Sequence, residues 1–482
     1  MNHKASASSN TPVQTQSVRP GKFLLASRYN FTVPVRSGSL LYNANSGTVL
    51  LLRGDDATVF ASALSGGVIV ISKSSVPPAL WSELISGGFL VPDGADEVAE
   101  IRARFAHARG ETPLVLTLTT TMECNLGCFY CYEHRTPDSL SAADIPAVVA
   151  GTREKLRTHS KKSLHVDWYG GEPLLNIEFL EAASPALQKM CQAEGASFHA
   201  SVISNGTVWP NDTSEFVARH RIRQVQLSFD GLRENHDRRR RFRNSYKNGN
   251  TSSFDLLVSL VDRLLDCVRV DLRFNADTYN QHELLPFVEF CRARGWFERR
   301  FPAVLQPARL ASYSERSAFM RKQEMTLEAF DALRADVRRA AGNVRVEESE
   351  VPDGFPYPRT SVCGALATHS SVIGADGLLY RCGLQVGERH RAVGSIRDTN
   401  EDGLPDSEWW DSFDPTTLPN CSRCSFLPIC WGGCPKKHLE RDEHALNEQS
   451  LYWRTNLPRL VANRFGFEPP PQFSFTEADQ FR

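Results

Sequence analysis

The amino-acid sequence predicts an α/β fold in which a barrel of parallel strands lies between two smaller units. Three observations support this fold class. Runs typical of β-strands alternate with helical patterns through the middle of the chain, short β-type runs precede that region, and closely spaced cysteines follow it. At 482 residues, the chain is also too long for one hydrophobic core. We therefore expect several packed units.

Composition and charge disfavour several classes of protein. Hydrophobic residues make up 41% of the chain but form no run of eighteen, so we expect no membrane partner. The formal net charge of −1 disfavours a nucleic-acid partner. Residues 1–22 are polar, lack the apolar stretch of a secretory signal, and are predicted to form a disordered tail. The 12 cysteines then fit metal ligation in the cytoplasm better than disulfides.

The segment 23–110 combines short β-type runs with a helix. Leu40–Tyr42 and Val68–Ile71 are predicted strands, and Pro78–Ser86 is a predicted helix before a third strand-like run at residues 87–91. This arrangement resembles a small winged-helix unit. The segment either extends the next domain or grips a leader peptide by strand addition.

The middle segment, residues 111–310, contains the strands of the predicted barrel. Helical patterns separate five β-like runs, as expected for parallel strands joined by crossover helices. The runs are Leu114–Thr119, Leu164–Tyr169, His199–Ile203, Gln224–Phe229 and Arg269–Asn275. Several of them end in polar or glycine-rich turns, where an α/β barrel gathers its active site. We therefore expect the chemistry in these turns.

The first of these turns contains Cys124, Cys128 and Cys131 in a CxxxCxxC spacing. Three thiolates in one loop can hold three irons of a four-iron cluster and leave the fourth iron open to another ligand. A structural zinc site would need a fourth protein ligand, which His134 can supply. The spacing alone leaves both metals open.

The cysteine loop with Tyr130, taken together with the sequence Gly170-Gly171-Glu172-Pro173, resembles the radical S-adenosylmethionine (SAM) superfamily. The resemblance implies a partial (β/α)6 barrel and a [4Fe-4S] cluster on the three cysteines. It also implies that the amine and carboxylate of SAM bind the open iron. One-electron reduction would then yield a 5′-deoxyadenosyl radical.

The other turns offer partners for a zwitterionic, adenosine-bearing cofactor. Two glycines permit close backbone approach, and the following Glu172 can accept a hydrogen bond from an ammonium group. The resemblance places the ribose at the turn beginning at Ser204, and the SAM carboxylate on Arg240, whose guanidinium suits that task. The predicted SAM-binding residues are Tyr130, Gly170, Gly171, Glu172, Pro173, Ser204, Asn205, Ser228, Asp230 and Arg240. The other arginines of the run 238–243 form either a solvated face or one that meets an acidic peptide.

The last segment, residues 361–482, follows a linker over residues 311–360 and carries a second cysteine array. Its spacing, C…GxxxxC…CxxCxxxxxCxxxC, resembles the SPASM extension of the superfamily and implies two auxiliary iron-sulfur clusters of the [4Fe-4S] type. The implied ligands are Cys363, Cys382 and Cys434 for the first cluster, and Cys421, Cys424 and Cys430 for the second. A zinc ribbon is the alternative, since such cysteine pairs also suit tetrahedral zinc.

The array departs from the full SPASM pattern at two points. That pattern has a further cysteine soon after Cys363 and another beyond Cys434, and this sequence has neither. Iron-sulfur sites accept histidine in place of cysteine. We expect His369 to complete the first set, and one of residues 442–444 (Asp442, Glu443 or His444) to complete the second. The alternatives are an open iron on either cluster and a smaller cluster, or none, at one of the two sites.

The resemblance to SPASM enzymes implies a peptide or protein substrate. We expect a ribosomally made precursor peptide with a leader, and an electron donor such as flavodoxin or ferredoxin. A side-chain crosslink is the first expected product, with epimerisation or backbone excision as alternatives. Sulfatase maturation is disfavoured, because sulfatase-maturing enzymes have an aspartate where Gly383 follows Cys382 here. Asp277 and Tyr313 are only positional candidates for catalysis. The non-enzyme alternative is a structural zinc or iron-sulfur protein.

Overall fold

Strands and helices are numbered in chain order through the part of the chain that the structure describes. This structure, a computed structural model, describes residues 24–54, 77–246, 251–313, 315–342, 346, 354–397, 405–470 and 472–481. The strands are β1 (Leu24–Ala26), β2 (Asn30–Val35), β3 (Gly38–Asn43), β4 (Val49–Leu52), β5 (Leu90–Pro92), β6 (Leu114–Thr119), β7 (Ser163–Tyr169), β8 (Ser197–Ser204), β9 (Ile222–Phe229), β10 (Arg269–Ala276), β11 (Val304–Arg309), β12 (Ser371–Ile373), β13 (Leu378–Tyr380) and β14 (Gly394–Ser395). The α-helices are α1 (Pro78–Ser86), α2 (Glu97–Glu111), α3 (Ile145–Thr158), α4 (Ile177–Ala193), α5 (Thr213–Arg219), α6 (Arg233–Arg239), α7 (Ser253–Leu264), α8 (Leu284–Ala293), α9 (Leu327–Ala341), α10 (Pro405–Ser412), α11 (Pro419–Ser422), α12 (Leu427–Cys430), α13 (Pro435–Leu439), α14 (Glu443–Arg464) and α15 (Glu477–Gln480).

A nine-stranded sheet forms the centre of the molecule. Its strand order is β11-β10-β9-β8-β7-β6-β12-β13-β14, and strands β6 to β11 are all parallel. The predicted α/β fold is confirmed. The five predicted runs correspond to β6–β10, and β11 adds a sixth parallel strand that the sequence prediction did not include.

The parallel strands expose alternate residues to two different environments. On β7, Leu164 and Val166 are fully buried with Trp168 in the core that helices α3 and α4 cover. The intervening His165, Asp167 and Tyr169 are only partly buried. Because side chains alternate along a strand, these polar residues lie on the opposite, inner face. The barrel interior is therefore polar, and its residues are available for a site.

The C-terminal segment continues this sheet. Strand β12 pairs in parallel with β6, and β13 and β14 add an antiparallel hairpin. The segment that contains Cys363 and Cys382 is thereby fixed beside β6, the strand that leads into the first cysteine loop. Among the described residues, no helix is both long enough and apolar enough to cross a membrane.

The N-terminal strands pack on the C-terminal segment. Strands β2, β3 and β4 form an antiparallel sheet, and Phe31 on β2 stacks on Phe426 with ring centroids 4.9 Å apart. Phe31 also contacts Phe475 at 5.0 Å, and the helix α2 residue Phe105 packs edge-on against Trp431. Segments 23–110 and 361–482, predicted as separate domains, therefore share one core.

The local N-terminal predictions have different outcomes. Helix α1 has the predicted bounds, and β3 contains the predicted strand Leu40–Tyr42. The predicted strand Val68–Ile71 and the predicted tail, residues 1–22, lie outside the described residues. The function of the segment as a peptide clamp stays a prediction.

Phe31→Ala should weaken the attachment between the two ends of the chain. Phe31 is fully buried, and removing a buried phenylalanine side chain costs about 3–5 kcal/mol of unfolding free energy. Urea unfolding followed by tryptophan fluorescence measures the loss. Phe319→Ala, at a side chain that is 50% exposed, is the control and should change stability by about 0.5 kcal/mol or less. Equal effects of the two substitutions would contradict the shared core.

Candidate active site

Three thiols from the cysteine loop after β6 line one cavity at the carboxyl ends of the parallel strands. The cavity has a volume of about 490 Å³, and Cys124, Cys128 and Cys131 all lie on its wall. Burial raises the pKa of the Cys124 thiol to about 12 and that of Cys131 to about 11, and each is raised further by the charge of Cys128. Three adjacent thiolates, one buried and two partly buried, are unfavourable without a positive partner, so this donor set fits a bound iron cluster.

His134 does not join the three thiols. It lies beside Gly387 on the wall of a neighbouring cavity of about 610 Å³. Among the described residues, no three His, Cys, Asp or Glu side chains are arranged to hold a single metal ion. The structure therefore places the proposed fourth ligand of a zinc site away from the cysteine cavity.

The glycine turn after β7 packs directly against the cysteine loop. Gly170 has φ +144°, and a Cβ atom there would lie 2.4 Å from the carbonyl oxygen of Thr121. A Cβ atom on Gly171 would lie 2.3 Å from the carbonyl oxygen of Glu123. The glycines were expected to allow close approach to a cofactor. Both do line the cavity, but the close approach that requires them is to the cysteine loop.

Glu172 supports a neighbouring turn. Its fully buried carboxylate accepts hydrogen bonds from the Ser204 hydroxyl at 2.8 Å and from the Asn205 backbone amide at 2.7 Å. Burial raises the pKa of Glu172 to about 7. Glu172 and the adjacent Pro173 are not among the cavity-lining residues, so this structure does not support direct contact between Glu172 and a ligand there.

The turn that Glu172 holds does face the cavity. Ser204 and Asn205 line it, as does Ser228 on β9. The Asn205 side-chain amide donates to Asn125 at 2.9 Å and to the sulfur of Cys124 at 3.6 Å. The structure therefore brings the predicted ribose-side turn and the cysteine loop into contact at one wall.

Arg240 has the geometry of an anion-binding residue. Its Nη1 donates to the Tyr130 hydroxyl at 2.7 Å, and that hydroxyl donates to Asp230 at 2.8 Å. Arg240 lines the cavity, and its buried Nε has no hydrogen-bond partner among the described residues. A carboxylate is the natural partner of such a guanidinium. Asp230 is fully buried and does not line the cavity, so it orients Tyr130 and Arg240.

Arg239, the neighbour of Arg240, has a structural role. It is buried and forms ion pairs with Asp230 at 3.2 Å and with Asp277 at 2.8 Å. The expectation that the arginines around Arg240 all form an exposed face is therefore wrong at this position. Asp277 is also fully buried in this pair, which removes it as a catalytic candidate, whereas Tyr313 does line the cavity.

Comparison with known families agrees with this geometry. The family model described as the radical SAM superfamily matches residues 118–295, the span that contains the cysteine loop, the glycine turn and Arg240. Residues 118–295 form a radical SAM domain.

Two curated relatives and one solved structure are similar to the chain. It is 26% identical to the sporulation killing factor maturation protein SkfB of Bacillus subtilis, over 41% of this chain and 44% of SkfB. It is 20% identical to the cysteine-type anaerobic sulfatase-maturating enzyme of Clostridium perfringens, over 70% of this chain and 94% of that protein. The match to SkfB spans less than half of that protein's length. The structure of native anSMEcpe with bound AdoMet and the Cp18Cys peptide has a TM-score of 0.54 at 17% identity, covering 73% of this chain and 98% of that chain, which supports the fold.

The cavity of the radical SAM domain also contains polar residues that the sequence prediction missed. Gln226 precedes Ser228 by two positions on β9, and Arg273 lies on β10. The signal was available, because residues two apart on a strand share a face. Tyr132 and Tyr169 hydrogen-bond to each other on the same wall, and burial raises the pKa of the neighbouring Glu133 to about 7.

Within each of the two predicted sets, C-terminal cysteines affect one another's pKa. The charges of Cys363 and Cys434 raise the pKa of Cys382 beyond the effect of burial, to about 12. The charge of Cys430 acts in the same way on Cys421 and Cys424. The thiols of each set are therefore near enough for the charge of one to affect the pKa of another. Their role as cluster ligands stays a prediction.

Two of the predicted additional ligands, His369 and Asp442, have other partners. His369 is fully buried, and its ring nitrogens contact the Thr112 carbonyl at 2.6 Å and the Thr368 hydroxyl at 3.2 Å. Both ring nitrogens are thus engaged, and this placement gives no support to His369 as a cluster ligand. Asp442 caps helix α14 and pairs with Lys437 at 2.8 Å, and it lines the cavity that contains His134.

Proposed function

We propose that the protein is a SAM-cleaving enzyme that modifies a ribosomally made precursor peptide, and that its product is a side-chain crosslink. The observation that carries this proposal is the single cavity shared by three thiols and the unpartnered guanidinium Nε of Arg240. The thiols suit an iron-sulfur cluster, and the guanidinium suits the carboxylate of SAM. The thiols and the guanidinium therefore fit an iron-sulfur cluster and SAM bound together in this cavity.

Some residues around the cavity would bind the cluster and SAM, and others would keep water away from the radical. Cys124, Cys128 and Cys131 would hold a [4Fe-4S] cluster, which supplies the electron that cleaves SAM to a 5′-deoxyadenosyl radical. Ser204, Asn205 and Ser228 would bind the cofactor's polar groups. The apolar side chains of Leu310, Met320 and Leu384 complete the wall and would exclude water from a reactive radical.

A peptide substrate is supported by the relatives and by the shape of the site. SkfB is a maturation protein for a sporulation killing factor, and anSMEcpe has been solved with a bound peptide. Tyr313 lines both the thiol cavity and the larger cavity beside it, so the two spaces adjoin. The volume of this second cavity, about 610 Å³, lies within the usual range of ligand-binding pockets. Epimerisation and backbone excision remain alternative chemistries, and Gly383 still disfavours sulfatase maturation.

The two C-terminal cysteine sets would hold auxiliary clusters that accept the electron left on the product radical. The N-terminal unit would bind the leader of the precursor, and flavodoxin or ferredoxin in the cytoplasm would supply electrons. Deleting residues 1–110 is a poor test of leader binding, because it would remove half of the shared core. Hydrogen exchange is better suited, since a bound leader should protect backbone amides of β2–β4.

Anaerobic reconstitution tests the proposal. Iron and sulfide are counted per chain, dithionite and SAM are added, and 5′-deoxyadenosine is quantified by mass spectrometry. About twelve irons with cleavage of SAM are expected for three four-iron clusters. A peptide encoded beside the gene is then assayed for loss of two hydrogens. A chain that binds zinc and releases no 5′-deoxyadenosine would instead be a structural cysteine protein.

Arg240→Gln should weaken SAM binding to the reconstituted protein. Removing one partner of a buried, hydrogen-bonded charge pair costs about 2–5 kcal/mol, so we expect the Kd to rise by at least about thirtyfold. Isothermal titration calorimetry measures the change. Arg238→Gln is the matched control, because Arg238 is exposed on the same segment and bonds only within helix α6. Equal affinities of the two variants would contradict the assignment of Arg240.

A further inference from the structure

Two side chains in the turn between β1 and β2 carry buried donor groups that lack hydrogen-bond partners. Tyr29 is fully buried, and its hydroxyl makes no hydrogen bond within the described residues. The Nε and Nη2 atoms of the preceding Arg28 are buried and unpartnered in the same part of the chain. Buried donors without an acceptor are unfavourable, and each one in a folded protein needs an explanation. These donors therefore indicate an acceptor that the polypeptide alone does not supply.

The second cysteine set, which is Cys421, Cys424 and Cys430, lies within electrostatic range of these donors. Cys421 and Cys424 pack against the core that contains Tyr29. Burial raises the pKa of the Cys424 thiol to about 12, and the charge of Arg28 acts against this rise. Burial also raises the pKa of the Tyr29 hydroxyl, and the charge of Cys424 adds to that effect. Arg28 and Tyr29 are thus both coupled to one thiol of the second set.

The other acidic group near this turn is already engaged. Glu97 accepts hydrogen bonds from the Ser27 hydroxyl and, at 3.2 Å, from the Arg28 backbone amide. The Arg28 side chain itself forms no ion pair among the residues that the structure describes. Because the unpartnered donor atoms are buried, a molecule that docked on the surface would not reach them. The acceptor must lie inside the core, where the second cysteine set is the neighbouring source of sulfur atoms.

We propose that Arg28 and Tyr29 donate hydrogen bonds to the iron-sulfur cluster of the second cysteine set and raise its reduction potential. This inference rests on the proposed function, because it assumes that these three cysteines hold a cluster. Hydrogen bonds to cluster sulfurs and nearby positive charge favour the reduced form. One electron taken up at this site adds one negative charge, which the Arg28 guanidinium partly offsets.

The raised potential gives the N-terminal unit a part in the redox chemistry. Leu384, two residues after Cys382 of the first set, lines the thiol cavity, so the first set is near that cavity. An electron left on the product radical would enter there. A higher potential at the second set draws this electron onward. Arg28 and Tyr29 would therefore favour completion of the oxidation without contacting the substrate.

The test measures the midpoint potential of each cluster in the reconstituted full-length protein. Redox titration followed by electron paramagnetic resonance is carried out without SAM or peptide, and the signal missing from Cys430→Ala identifies the second cluster. At a fixed potential, Arg28→Gln should lower the ratio of reduced to oxidised second cluster about tenfold, a shift of about 59 mV for a one-electron couple. Tyr29→Phe should shift the ratio less and in the same direction, because it removes no charge. The other clusters should keep their midpoints.

Matched variants separate hydrogen bonding to the cluster from a general change in the core. Arg53→Gln makes the same change in charge at the exposed end of β4 and should leave the potential unchanged. Tyr42→Phe removes a buried hydroxyl of the same core that donates to the Pro356 carbonyl, so it should lower stability and leave the potential unchanged. Arg28→Lys keeps the charge and should restore part of the shift.

The outcomes separate this inference from the proposed function. A parent protein without the second cluster would contradict the proposed auxiliary cluster, and this inference would fall with it. A second cluster that is present, but whose midpoint is the same in the parent, Arg28→Gln and Tyr29→Phe, would overturn the hydrogen bonds alone. Equal shifts in Tyr29→Phe and Tyr42→Phe would show a general loosening of the core and overturn the proposal too.

Discussion

Cys124→Ala should abolish formation of 5′-deoxyadenosine. Cys124 lines the thiol cavity, and its sulfur accepts a hydrogen bond from Asn205. With one of three ligands removed, a four-iron cluster loses its protein support at that site. We expect about four fewer irons per chain and no detectable cleavage of SAM with dithionite, as measured by iron analysis and mass spectrometry after anaerobic reconstitution.

Cys267→Ala is the matched control for this substitution. Cys267 is partly buried, its thiol hydrogen-bonds to backbone carbonyls of α7, and it does not line the cysteine cavity. This variant should retain the iron content and the cleavage rate of the parent. If Cys124→Ala cleaved SAM as fast as the parent, the cysteine loop would not hold the cluster that reacts with SAM.

The second large effect concerns the two C-terminal cysteine sets. Cys382→Ala and Cys430→Ala should each remove about four irons, from different clusters. Because neither residue lines the thiol cavity, uncoupled cleavage of SAM should persist in both variants. Formation of the modified peptide should stop, since the product radical would lose its electron acceptor. Iron counting and mass spectrometry of the peptide measure the two effects separately.

The double variant tests whether the sets are independent. Cys382→Ala combined with Cys430→Ala should lose about eight irons, the sum of the single losses. A double variant that loses no more iron than either single variant would mean that all six cysteines bind one centre. Retention of peptide modification in both single variants would remove the proposed role of the auxiliary clusters.

Local sequence patterns predicted much of the fold. Helix α1 and strand β6 have the predicted bounds, because a helix start at proline and a run of leucines alternating with the β-branched Val and Thr are local signals. Strand β11 was missed because Pro307 lies within it, and proline argues against a strand. The structure resolves this conflict, since β11 is at the sheet edge, where proline is tolerated.

Contacts between distant segments limited the prediction of the site. The spacing of the cysteines predicted which thiols lie together. The hydrogen bonds of Glu172 to the Ser204 turn and the position of His369 against Thr112 depend on the tertiary fold, and no local pattern encodes them. The unpartnered Nε of Arg240 is a property of the same kind. Residue types therefore predicted the chemistry of the site, whereas the contacts of several side chains required the structure.

The core shared by the two ends of the chain has a consequence for biosynthesis. Phe31 emerges from the ribosome long before its stacking partner Phe426, by roughly 20–80 s at about 5–20 residues per second. During that interval β2 lacks the C-terminal part of its core, so its apolar face is a target for chaperones. Since Cys421 and Cys424 pack against the same core, loading of iron would also stabilise the N-terminal strands. Cells short of iron should therefore accumulate a protease-sensitive form of this protein that is cleaved near its N-terminus.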